Sequence, residues 1–135
     1  MTSNNLAKSY LVKSMARLDI LNVLLVKKAY SDVIREAQEI VELSLKGMLR
    51  SAGIEPPKFH DVGPLFLEFK YRFPEISAGD AEKIAGISKE LRKERELSFY
   101  GDVDFIPTES YSEKDALRAI ENAGFVVKWA EKIIA

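Results

Sequence analysis

The sequence lacks cysteine altogether and contains one histidine, His60. Without cysteine the chain forms no disulfide and offers no thiolate for nucleophilic chemistry, and the redox compartment is only weakly constrained. A single histidine also argues against a zinc site, because such sites are built mainly from cysteine and histidine ligands. We therefore expect neither a metal nor another cofactor.

An excess of charge of one sign is also missing. The 20 lysines and arginines and 21 aspartates and glutamates give a formal net charge of -1, so any site for a polyanion has to be local. The polar start, Met1–Asn5, and the charges at Lys8, Lys13 and Arg17 fit neither a signal peptide nor a membrane span. We expect one cytoplasmic domain over residues 1–135, with 47% hydrophobic residues to form its core.

Apolar residues recur at helical spacing over most of the chain, and no strand pattern competes with them. Helix-capping residues, glycines and prolines divide this pattern into five helices. The predicted helices run from Ser3 or Asn4 to about Lys28, from Tyr30-Ser31-Asp32 to Gly53, across Phe66, Phe69 and Phe73 to Pro74, from Ser77–Asp80 to Tyr100-Gly101-Asp102, and from the capping box Ser112–Asp115 onwards. We expect an all-α, up-and-down four-helix bundle with one additional short helix.

The fourth predicted helix carries an arginine on its apolar stripe. The stripe consists of Ile84, Ile87, Leu91, Arg95 and Ser98. Burying an unpaired guanidinium costs several kcal/mol, so Arg95 must be paired or must line a wet cleft. Two roles remain open: a structural ion pair with Glu42 or Asp102, or a bidentate contact to a phosphate group.

Other charged residues near this stripe also have two interpretations. Arg92 lies at the edge of the stripe and forms a small positive rim with Lys89 and Lys93, unless the interleaved glutamates make the whole run a solvated helix face. Those glutamates are Glu90, Glu94 and Glu96. Lys46 is either the i,i+4 partner of Glu42 or a phosphate contact.

Three further residues are candidates on the basis of their position: His60 and Tyr100 for ligand contacts, and Asp61 for a structural ion pair. His60, beside the predicted helix cap Asp61, makes either a structural hydrogen bond or a ligand contact. Tyr100 either packs at the end of the bundle or contacts a ligand.

Two large aromatic residues, Phe125 and Trp129, lie one turn apart and away from the apolar stripe of the last helix. Aromatic residues in such positions often mark interfaces, so we expect self-association through them.

Three stretches resemble the HEPN domain family of small helical domains. Glu39–Pro57 is similar to the family's second helix and its exit, and His60-Asp61-Val62 is similar to the entry to its short helix. Arg95–Asp102 stands where the family keeps an Arg-x4-6-His signature, and the final helix is also similar. The position five residues after Arg95 is Tyr100 rather than histidine.

The resemblance implies a function related to RNA or nucleotides, and the missing histidine implies that this chain differs from the enzymatic members of the family. Enzymatic members, which are metal-independent ribonucleases, pair the arginine with the histidine, and a tyrosine in that place is a poor general base near neutral pH. The chain therefore resembles a non-nucleolytic branch: a homodimeric binding module for a nucleotide, an RNA segment or a minimal nucleotidyltransferase, with no catalytic residue. The candidate ligand contacts are Arg95, Arg92, Tyr100, Asp102, Lys46 and His60.

Two alternatives remain beside this interpretation. One is a metal-independent ribonuclease whose acid or base has moved to His60 or Tyr100. The other is a purely structural bundle that binds another protein.

Overall fold

The computed structural model describes residues 2–58 and 62–134, and in those residues the chain forms six α-helices and one short 3-10 helix. The elements are α1 (Thr2–Val26), α2 (Tyr30–Ser51), α3 (Val62–Glu68), the 3-10 helix Lys70–Arg72, α4 (Ala78–Phe99), α5 (Pro107–Ser110) and α6 (Glu113–Ile134). The predicted all-α bundle is confirmed. The four-residue helix α5 was not predicted, because its segment contains a proline and reads as a loop.

Helix α2 lies at the centre of the bundle and contacts α1, α4 and α6. Its apolar residues repeat on more than one face, and Ile40, Leu45, Met48 and Leu49 are fully buried. Gly47 lies where α6 approaches α2 closely, because a Cβ atom at this position would lie 2.9 Å from Ile134 Cδ1. Within the described part of the chain, no helix is both long enough and apolar enough to cross a membrane.

The boundaries of the first two helices differ from the prediction. Helix α1 begins at Thr2, so Ser3 and Asn4 lie inside its first turn rather than at its cap. The break between α1 and α2 falls at 27–29, before the predicted break at Tyr30–Asp32. Lys28 adopts a left-handed conformation with φ of 58°, which ends α1 early, and no side chain caps α2.

Two other helix starts agree with the sequence. Ser77 caps α4, with its side chain accepting a hydrogen bond from the Asp80 backbone N–H at 3.1 Å. Ser112 and Asp115 form the reciprocal capping box of α6, at 3.2 Å and 2.9 Å. These caps fix where α4 and α6 enter the bundle.

The end of α4 turns sharply at Gly101, which has φ of +70°. The backbone N–H groups of Tyr100 and Gly101 both donate to the Glu96 carbonyl, at 2.8 Å and 3.3 Å. Asp102 and Phe105 then form an isolated antiparallel bridge. Glycine is required at position 101 for two reasons: its φ is positive, and a Cβ atom would lie 2.5 Å from the Phe105 carbonyl oxygen.

We expect Gly101→Ala to destabilise the protein more than Gly53→Ala does. Both glycines have positive φ, at +70° and +79°, but a Cβ atom at Gly53 would meet nothing within 4 Å. The left-handed conformation alone costs about 1 kcal/mol for alanine, so Gly53→Ala should lose about that amount and Gly101→Ala about 2 kcal/mol or more. Urea unfolding of both variants checks this, and equal losses would contradict the steric argument.

Candidate functional site

One flank of α2 carries a row of four charged residues, two glutamates between two cations. Arg35, Glu39, Glu42 and Lys46 recur at three- and four-residue spacing and therefore share one side of the helix. Two i,i+4 contacts join them: Arg35 Nε lies 3.6 Å from Glu39 Oε1, and Lys46 Nζ lies 3.7 Å from Glu42 Oε1.

Helix α4 brings two arginines to the same carboxylates. Arg95 Nη2 lies 3.2 Å from Glu39 Oε1, and Arg92 Nη1 lies 3.5 Å from Glu42 Oε1. Each carboxylate therefore contacts one cation from its own helix and one from α4. Four cations against two carboxylates leave two positive charges in excess along this seam.

The carboxylate partner of Arg95 is Glu39, not Glu42 or Asp102 as predicted. The order of the pairs shows that α2 and α4 run antiparallel. Arg92 pairs with Glu42, and Arg95, one turn later on α4, pairs with Glu39, one turn earlier on α2. Asp102 lies beyond the end of α4, where its carboxylate accepts a hydrogen bond from the Val103 N–H at 2.7 Å.

The exposed side of the seam is a groove of about 630 Å³, which we call the cationic groove. It is lined by Arg35, Arg92, Lys93, Arg95, Glu96 and Tyr100. Its volume falls within the range of small-molecule sites, about 300–1,000 Å³. The Arg95 side chain is 35% exposed, so the same arginine pairs with Glu39 and faces solvent in the groove.

Two exposed aromatic side chains stand at the end of this groove. Phe99 and Tyr100 are 51% and 74% exposed, and their rings meet edge to face with centroids 4.9 Å apart. The Arg35 guanidinium carbon lies 4.9 Å from the centroid of the Phe99 ring, a cation–π geometry. The groove therefore combines cations with an uncovered aromatic surface.

The other flank of α4 is acidic. Glu90 and Glu94 line a second cavity, of about 290 Å³, together with Asp115 and Tyr111. Tyr111 donates a hydrogen bond to Glu94 Oε2 at 2.6 Å. Burial, this hydrogen bond and the negative charges of Glu94 and Asp115 raise the pKa of Tyr111 above its ordinary value. The charges that interleave along the sequence of α4 are therefore partly separated in space.

The remaining candidate residues do not all meet at the groove. Neither Lys46 nor Asp102 lines it, although Lys46 is linked to it through Glu42. His60 and Asp61 lie outside the described residues. The ligand contacts predicted for this set stay predictions.

The predicted dimer interface also stays a prediction. Phe125 and Trp129 are partly buried against the core, and a lysine lies over each ring. Lys83 Nζ is 4.0 Å from the Phe125 centroid, and Lys132 Nζ is 4.9 Å from that of Trp129.

Sequence reasoning missed two residues beside Arg95: Arg35, which lines the groove, and Glu39, which pairs with Arg95. The signal for both was present in the three- and four-residue spacing that places them on the same flank of α2 as Glu42 and Lys46. Lys93 was predicted to form a positive rim with Arg92 and Lys89, and of these three residues Arg92 and Lys93 line the groove.

Comparison with known proteins identifies a family of similar domains. A family model described as "HEPN domain" matches residues 7–133. Neither a curated protein nor a solved structure matches the chain. The family match covers every residue of the cationic groove.

We expect Tyr111→Phe to reduce stability near neutral pH, because the variant loses the hydrogen bond to Glu94, an effect of about 1 kcal/mol. The raised pKa means that the folded state keeps the phenol proton more tightly than the unfolded state does. This contribution is fully present below the ordinary tyrosine pKa near 10 and is lost as pH rises above it. Urea unfolding at pH 8 and at pH 10.5 should therefore show the difference between wild type and variant shrinking at the higher pH. A difference that grows with pH would contradict the assignment.

Proposed function

Because the chain belongs to the HEPN domain family, we propose that it is a non-catalytic binding module whose cationic groove holds phosphate groups of a nucleotide or an RNA segment. Family membership supports a nucleotide- or RNA-related module in general terms. The observation that carries the finer proposal is the excess of cations over carboxylates at the seam of α2 and α4.

The geometry of the arginines suits a phosphate ligand. A guanidinium has five N–H donors, and only Nη2 of Arg95 contacts Glu39. The carboxylate holds the guanidinium in place, which lowers the entropy cost when a ligand binds. The donors that remain are suited to a bidentate contact with phosphate oxygens.

The exposed ring of Tyr100 favours a ligand that carries a base over inorganic phosphate. Stacking of a nucleobase on an aromatic side chain contributes about 1–3 kcal/mol per base. Tyr100 lines the groove together with Arg92 and Arg95, so one ligand can use the ring and the cations together.

The lack of a histidine at the signature position after Arg95 supports the non-catalytic part of the proposal. Tyr100 stands five residues after Arg95, and no histidine follows Arg95 in the sequence. Arginine stabilises phosphate charge but moves no proton at neutral pH, so cleavage would need another residue as acid or base. A homodimer and a nucleotidyltransferase partner in the cytoplasm, both implied by the resemblance, are compatible with such a module.

The proposal is tested with two probes, a fluorescein-labelled single-stranded RNA and ATP, by anisotropy and calorimetry. We expect Arg95→Ala to weaken RNA binding about tenfold, since a charge-assisted hydrogen bond contributes about 1.5–3 kcal/mol. The slope of log K against log salt should fall by about 0.7 for each phosphate that the variant no longer neutralises. The matched control is Arg118→Ala, because Arg118 is 68% exposed and pairs with Glu90 on the acidic flank of α4.

Three outcomes would contradict the proposal. If the wild type binds neither probe, the proposed ligand is wrong. If Arg95→Ala and Arg118→Ala weaken binding equally, the proposed site is wrong. Far-UV circular dichroism and thermal melts establish that both variants are folded. RNA cleavage by highly purified protein, abolished in Arg95→Ala, would show instead a ribonuclease with a relocated acid or base.

A further inference from the structure

Helix α2 begins with backbone donors that have no partner. No side chain caps the helix, and the first hydrogen bond of its ladder is donated by Val33 to the Ala29 carbonyl at 3.1 Å. The N–H groups before it, those of Tyr30, Ser31 and Asp32, make no hydrogen bond within the described part of the chain. Three donors are therefore left at the positive end of a 22-residue helix.

The same three residues line a pocket of about 250 Å³, called here the α2 pocket. The end of α1 contributes Lys27 and Lys28 to it, and α5 contributes Thr108 from the opposite side. Both lysines are exposed. None of the residues that line the α2 pocket lines the cationic groove, so the two are separate cavities.

Ser31 gives a second, independent sign of a ligand in this pocket. The residue is only 6% exposed, yet its hydroxyl makes no hydrogen bond within the described part of the chain. Ser14 and Ser44, which are also buried, each donate to the carbonyl four residues earlier at 2.9 Å. Ser88 is buried without such a bond as well, but it does not line the α2 pocket. The Ser31 oxygen is not sealed off by protein atoms, so a solute in the pocket can reach it.

We propose that the α2 pocket binds a phosphate group, either as free phosphate or as the phosphomonoester of a small molecule. The start of a helix attracts an anion through its N–H donors and through the helix dipole. Here the hydroxyl of Ser31 adds a further donor, and the ammonium groups of Lys27 and Lys28 add positive charge. This site is independent of the ligand proposed for the cationic groove.

The charge and the size of the pocket favour a phosphate group over other anions. Two lysines and one aspartate give the lining a net charge of +1, and the helix terminus adds about +0.5. A phosphomonoester carries a charge of about −1.5 to −2 at pH 7 and has three acceptor oxygens, so it matches this charge and these donors better than a carboxylate does. The volume lies below the range of about 300–1,000 Å³ for small-molecule sites, which suits a phosphate with a short substituent rather than a nucleotide.

Asp32 is the acid among the residues that line the α2 pocket, and it opposes the binding of an anion. The carboxylate of Glu94 is held elsewhere: it accepts the hydrogen bond of Tyr111 at 2.6 Å and lines the acidic cavity. Tyr111 lines both cavities and therefore lies between them. Removal of the Asp32 charge should accordingly strengthen the binding of phosphate, whereas it would weaken the binding of a cation.

The test is a titration of the ¹⁵N-labelled full chain with inorganic phosphate, followed through backbone amide chemical shifts. We expect saturable shifts at Tyr30–Asp32, because phosphate oxygens accept hydrogen bonds from these N–H groups. Ser31→Ala and Lys28→Gln should each weaken binding about tenfold, and Asp32→Asn should strengthen it about threefold. The matched control is Lys13→Gln, which removes an exposed lysine of α1 outside the pocket and should leave the affinity unchanged.

Thermal melts separate a ligand contact from a structural role of Ser31. Its hydroxyl has no partner within the described part of the chain, so Ser31→Ala should melt at the wild-type temperature or higher without phosphate. Added phosphate should then raise the melting temperature of the wild type more than that of the variant, because a ligand that binds only the folded state stabilises it by mass action.

Two further probes, methyl phosphate and single-stranded RNA, identify the source of the phosphate. A site for phosphomonoesters binds methyl phosphate at the same amides, whereas a site for free phosphate excludes it. Arg95→Ala should leave the phosphate-induced shifts at Tyr30–Asp32 unchanged, whatever its effect on RNA. If RNA shifts these amides and Arg95→Ala abolishes that effect, the pocket belongs to the ligand of the cationic groove and a separate site is wrong. Wild type without saturable shifts, unchanged affinity in Ser31→Ala, or weaker binding in Asp32→Asn would each overturn the proposal.

Discussion

An arginine built into a packed helix seam obliges the neighbouring helix to supply a carboxylate. Arg95 continues the stripe of α4 that begins with buried residues such as Ile84 and Leu91, and its guanidinium would be costly there without a partner. Glu39 meets it from α2 at 3.2 Å. One turn away, Glu42 meets Arg92 in the same manner at 3.5 Å. The charge pairs therefore fit the register in which apolar packing holds the two helices.

Structural pairing does not account for the whole cluster. Two carboxylates are enough to neutralise two arginines, yet each of them also contacts a second cation from α2. The side chains are 17% to 35% exposed, so water screens much of their attraction and the network adds little stability for its size. The proposed phosphate site rests on this excess of partly hydrated cations at the groove.

The helical period made most of the fold predictable, and it also placed Arg95 on a seam. Ser77 and Ser112 were recognisable as caps because their partners lie three residues later in the sequence. The partner of Arg95 was not predictable, since choosing Glu39 over Glu42 requires the register in which α2 and α4 pack. The end of α1 was missed because Lys28 adopts a left-handed backbone that its side chain does not favour. The charges of α4 form a mixed run along the sequence, but winding into a helix places Glu90 and Glu94 on one flank and the three cations of the groove on the other, with Glu96 among them.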